Sequence, residues 1–106
     1  MESTLFTNGY LTINLGASNM KTYCASNINF IDDSNAELDL VVPVEYLDEL
    51  YVNAVLPNAV LNCQFINFNR DIAITDIKET DMYDIIGNSP VLNESIKKIH
   101  VTVTLS

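Results

Sequence analysis

The sequence predicts an α+β domain: a mostly antiparallel sheet of about five or six strands with two short helices. Three observations predict it. Apolar residues alternate with polar ones over Leu11–Leu15 and Ile99–Leu105, the period of a strand with one buried face. Elsewhere the period lengthens, as in Leu47, Leu50, Tyr51 and Ala54, which suits an amphipathic helix. At 106 residues with 48% apolar and 18% charged content, one domain can bury a core without metal or disulfide staples.

The elements follow in chain order. Asn8-Gly9 stands between LFT and YLTIN and predicts a tight hairpin, because both residues tolerate positive φ. Gly16 to Asn27 shows no sustained period and reads as loop with a short strand. Ile28–Ile31 and Leu38–Val42 are strands separated by the turn-like DDSNAE. Pro43 suits the first position of a helix over 43–54, and Glu45 is favoured by its positive end. Advancing 100° per residue puts Leu47, Leu50, Tyr51 and Ala54 on the core side and Glu45, Asp48, Glu49 and Val52 opposite. Pro57 closes that segment. Ala59 to Phe68 is rich in strand formers, with Phe65-Ile66 breaking alternation as a bulge would. Asn69-Arg70-Asp71 predicts a turn into a second hairpin arm, Ile72–Thr75. Asp76 as N-cap with Glu79 three residues on predicts a helix over 77–86, with Met82, Tyr83 and Ile86 inward and Gly87 ending it. Asn88-Ser89-Pro90 reads as a turn before the final strand.

Charge sets the functional expectation. The formal net charge is -9. The first 53 residues hold eight acids against one base, and the rest hold six against four. A field of that sign repels nucleic acid and anionic lipid and attracts cationic surfaces. Thirteen Asn and eleven Ile accompany only four Lys, so AT-rich coding drift, which raises all three, does not explain the low lysine. Asp32, Asp33, Glu37, Asp39, Glu45, Asp48 and Glu49 crowd into one stretch, and no Lys or Arg occurs between Lys21 and Arg70. These seven are the candidate contact residues for a basic surface on another protein.

Other chemistry finds less support. DDSNAELD spaces oxygen ligands as a calcium loop does, but Leu38 stands where a glycine must turn the chain and Val44 where a closing glutamate belongs. A lone His100 offers no metal pattern, and no metal site is expected. Gly9, Gly16 and Gly87 are isolated, so no phosphate loop exists. Many carboxylates make some close pair inevitable, so paired acids alone do not signal glycoside hydrolysis. Cys24 and Cys63 lack Cys-x-x-Cys spacing and read as buried free thiols. The start MESTLFTNGY has no basic or apolar leader pattern, and no apolar run approaches a membrane span.

The expectation is therefore a small, non-enzymatic binder without cofactor, not bound directly to nucleic acid or membrane, in the cytoplasm. Its acidic face would enter a basic groove, and where that groove takes nucleic acid the protein would inhibit by mimicry. The alternative is an assembly subunit that forms a homo-oligomer through Ile99–Leu105 as an exposed edge strand. A hydrolase with paired carboxylates is remoter. Small size, absent motifs and Asn/Ile richness suggest a phage or viral origin and a host-cell cytoplasm.

Overall fold

Strand formers dominate nearly every segment of the chain, and the backbone follows them. The computed structural model describes residues 4–14, 20–52, 55–63 and 66–106. Among the described residues there are seven strands: β1 (Thr4–Phe6), β2 (Gly9–Asn14), β3 (Met20–Phe30), β4 (Asn35–Pro43), β5 (Val55–Cys63), β6 (Ile66–Ile86) and β7 (Ser89–Leu105). A 3₁₀ turn, Val44–Tyr46, leads into one short helix, α1 (Leu47–Val52). The strand pairings are all antiparallel. Neighbours run β3–β2–β5–β6–β7–β4, and β4 returns to β3, so the sheet closes on itself. Closure removes free edges from the barrel wall. Its interior is filled by alternate residues, among them Leu11 and Ile13, Ile28 and Phe30, Leu38 and Leu40, Leu61, Ile72, Ile99 and Val101. Phe6, Phe30 and Phe68 form an aromatic cluster, with the Phe30 and Phe68 rings 4.8 Å apart.

The class is α+β with a large antiparallel sheet, but the expected five or six strands and two helices are corrected to the elements above. The predicted hairpin at Asn8-Gly9 does not form. Instead β1 and β2 lie along the same partner, opposite Ile28–Phe30 and Met20–Ala25 of β3. A side chain at Gly9 would collide with the Asn62 carbonyl oxygen, so close approach of β5, not a tight turn, requires glycine here. The aperiodic segment before Asn27 contains most of β3, which serves three neighbours. Asn69-Arg70-Asp71 does not turn; Asn69 and Arg70 pair with Val60 and Ala59 inside a continuous β6. Ala54 and Phe65, assigned above to a helix face and a bulge, lie outside the described residues.

The second predicted helix is the largest correction, since residues 77–86 belong to β6. Pairing shifts between Ile74 and Asp76, leaving Thr75 as an extra residue; its hydroxyl donates to the Thr102 carbonyl at 3.0 Å. The cap-like pair Asp76 and Glu79 and the apolar Met82, Tyr83 and Ile86 imitate a helix, but in β6 Tyr83 falls on the opposite side from Met82 and Ile86. Pairing with β7 over most of their length overrides the local propensity. Gly87 does not end a helix: at φ 65 it forms, with Asn88, the two-residue turn between paired Ile86 and Ser89, a position that favours glycine.

β7 bears out the alternation of Ile99–Leu105 but not its place. Ile99–Thr104 lies between β4 and β6, paired with both, so that stretch is wall and offers no edge for assembly. Beyond Asp81↔Lys97 the register jumps to Met82↔Asn93, and the remaining β6–β7 hairpin leaves the barrel as a two-stranded arm.

Candidate functional site

β4 fixes the central acids by alternation. Ala36, Leu38, Leu40 and Val42 are buried, so Glu37 and Asp39 must point outward. Register places Asp39 opposite His100 on β7 and Asn27 on β3. Asp39 accepts from Asn27 Nδ2 at 3.1 Å and lies 2.8 Å from His100 Nδ1. A carboxylate only accepts, so this contact assigns a proton to Nδ1. The other ring nitrogen, Nε2, is 3.9 Å from Glu37. Partial burial pushes the Asp39 carboxyl up, but hydrogen bonds from His100 and Asn27 and the nearby positive charge outweigh it, leaving the group below its ordinary value.

Before β4 the chain turns at residues 31–34, where the Ile31 and Asp32 amides both reach the Asn35 carbonyl. Asp32 organises this turn. It accepts from the Asn35 side-chain amide and from the Ser34 backbone N–H at 2.7 Å, and these bonds, Asn35 first, lower its carboxyl pKa. Asp33 is exposed beside it. DDSNAE is thus a self-bonded Asx turn.

After β4, α1 seats Leu47 and Leu50 in the core as predicted, whereas Tyr51 is 49% exposed. Glu45 and Asp48 face solvent. Glu49 is half-buried and receives the Lys21 ammonium at 2.5 and 2.6 Å. Lys21 also lies 3.8 Å over the Tyr46 ring, a cation–π contact. Tyr23 is buried, with no hydrogen-bond partner for its hydroxyl among the described residues; burial, then the Glu49 charge, push it up to about 12.

The seven acids form a band, not a single patch. The nine residues of β4 separate the Asp32–Asp33 turn from the helical segment by about 30 Å at strand rise. Sequence reasoning missed Lys21 and His100, which reach the band from β3 and β7. Nothing in sequence spacing could reveal them, because register alone brings them there. Elsewhere, Cys63 is buried and its thiol is pushed up to about 11 by burial, while Cys24, expected inside, is exposed. Among the described residues no group of three or more His, Cys, Asp or Glu could hold a metal ion, and no helix is long and apolar enough to cross a membrane.

No family model and no curated protein matches this chain. One solved structure does match it, described as "MrkH, A novel c-di-GMP dependence transcription regulatory factor", with a TM-score of 0.62 and 15% identity. The match covers 100% of this chain and 43% of the MrkH chain, so this chain spans less than half the length of that protein. At that identity the likeness shows a shared fold.

Proposed function

We propose that this is a non-enzymatic binding protein whose acidic band docks a cationic surface of another protein. One observation carries it: barrel alternation forces Glu37 and Asp39 outward between the acids of the turn and those of the helical segment, with Lys21 at Glu49, and His100 and Lys98 beside Asp39, drawn in from other strands. Carboxylates in such a row steer encounter with a basic groove and pair bidentately with arginine. Where the groove takes nucleic acid, the carboxylates stand in for phosphates and the protein acts as a competitor. The shared fold with a regulatory factor supports a binding role over a catalytic one.

Affinity capture with mass spectrometry identifies the partner, and a variant tests the surface. Asp33→Asn, Glu45→Gln and Asp48→Asn together remove exposed charge; Glu49 is left intact because it holds Lys21. Association should slow, and its salt dependence should flatten. Unchanged rate, affinity and salt response would refute the acidic surface.

The c-di-GMP in the MrkH description does not transfer readily. A cyclic dinucleotide carries two phosphodiester anions, which call for cationic partners. Of the five Lys and Arg residues, Lys21 pairs with Glu49 and Lys97 with Glu79 and Asp81, so Arg70, Lys78 and Lys98 remain to meet those anions on a chain of net charge -9. Calorimetric titration with c-di-GMP should give no binding heat.

A further inference from the structure

β6 outruns its neighbour β5. Pairing between them ends at Val55↔Ala73, so among the described residues Ile74–Ile86 has a partner strand on one side only, β7. Past the register jump these two continue as a ribbon of five residue pairs, Met82↔Asn93 to Ile86↔Ser89. A two-stranded ribbon is marginal in water, and further strands sharing an apolar face are what stabilise it. The Gly87-Asn88 turn fixes which backbone groups are already bonded. Residues flanking a two-residue turn exchange hydrogen bonds, and bonded pairs then alternate along the hairpin. Ile86, Asp84 and Met82 therefore bond to β7, whereas the N–H and C=O groups of Tyr83 and Ile85 point the other way, along the open edge. On β7 the outward positions are Leu92 and Pro90, and Pro90 has no N–H to offer. The β6 edge is the one left able to pair.

Side chains select what pairs with it. Alternation puts Tyr83 and Ile85 on one face of the ribbon, 59% and 71% exposed, with Leu92 and Pro90 across from them. The acids nearby are already engaged within the hairpin. Asp81 lies 3.8 Å from Lys97, and Asp84, on the opposite face, accepts from Asn93 Nδ2 at 3.1 Å. The occupant must supply an extended backbone and an uncharged apolar face of the same alternation, and the chain's own ribbon supplies both. We propose that two copies of this chain dimerise by pairing β6 edge to edge, antiparallel, about a twofold axis at Tyr83. Tyr83 then exchanges both backbone bonds with the same residue of the second copy. Ile85 stands opposite Asp81 and Met82 opposite Asp84, so no two acids face each other directly, the arrangement that would destabilise a sheet. The product is a four-stranded sheet, β7–β6–β6–β7, whose apolar face runs through Leu92 and Tyr83 of both copies. An edge that carries no block pairs with another chain in this way. The surface uses none of the residues of the acidic band and does not depend on it.

Sedimentation velocity on the full chain between about 1 and 500 µM should show a monomer–dimer equilibrium. Each copy carries a net charge of -9, so raising salt from about 50 to 500 mM should tighten the dimer by screening. Tyr83→Pro removes the central outward N–H and leaves the bonds to β7 in place, as Pro90 does on the other strand. That variant should weaken dimerisation about tenfold or more. Should it disturb the hairpin, cross-linking tests the register in a Cys24→Ser background. Mild oxidation should join Tyr83→Cys into a disulfide dimer, because bonded pairs stand about 5.5 Å apart at Cα. Leu92→Cys should not cross-link, because three strand spacings, about 14 Å, separate it from its counterpart. A chain that stays monomeric across that concentration range would overturn the proposal and leave the edge to a strand of another protein. Dimers indifferent to Tyr83→Pro, or cross-linked as readily through Leu92→Cys, would put the interface elsewhere and overturn it too.

Discussion

Replacing Lys21 by Met should destabilise the fold by about 2–3 kcal/mol, and the size follows from where the ammonium sits. An exposed ion pair contributes about 0–1 kcal/mol and breaking a fully buried one costs about 3–5 kcal/mol. Here the side chains are 17% and 31% exposed, so solvent screens the pair in part and a value near 2 kcal/mol is appropriate. The contact over the Tyr46 ring adds about 0.5–1 kcal/mol. Methionine keeps the apolar stem, so the loss reports charge more than packing. For a domain of this size each kcal/mol moves the midpoint by about 4–8 °C, which gives a drop of roughly 10–20 °C. Urea titration followed by circular dichroism measures it, provided the transition is two-state. A cycle with Glu49→Gln should return a coupling of about 1–2 kcal/mol. A loss under about 0.5 kcal/mol in the Lys21 variant would mean the pair is solvated like any surface pair. Lys21 would then not be what anchors α1 to β3.

Three further outcomes are expected. Gly9→Ala should cost about 1–3 kcal/mol in urea unfolding, because its methyl group must displace the Asn62 carbonyl or the Ile28 side chain from a packed wall. Iodoacetamide should label Cys24 in the native protein and Cys63 only after unfolding, since one is exposed while the other is buried with a raised thiol; mass spectrometry distinguishes the sites. Asp32 and Asp39 have folded-state carboxyls below their ordinary values, so the stability they contribute is present above about pH 4, the unfolded value, and is lost as pH falls through the lowered ones. Asp39→Asn should therefore shrink the fall in the urea midpoint between pH 6 and pH 3, and an unchanged slope would remove Asp39 from that linkage.

Local pattern was decisive where one face of an element is wet and the other dry. The alternation of Leu11–Ile13 and Ile99–Leu105, and the spacing of Leu47 and Leu50, reported inside and outside correctly because burial acts on each residue in place. The acidity of residues 32–49 and the outward direction of Glu37 and Asp39 came from the same source. Register is another matter, because it depends on residues far apart in the chain. Pairing with β7 made a strand of the segment whose caps and apolar spacing imitate a helix, and Gly87-Asn88 made the turn between the two strands. Closure of β4 onto β3 hid β7 inside the wall, although its own sequence resembles an edge. Tertiary packing brought Lys21 to Glu49 and His100 to Asp39, giving partners to an acidic run that looks unpartnered along the chain. Sequence by itself set the charge, the strand-rich class and the faces of its clearest elements; pairing across the barrel decided their order, their partners and which apolar residues were left outside. The physical reason is that side-chain burial is a local demand, whereas strand pairing is a bond between distant segments whose register the local pattern does not contain.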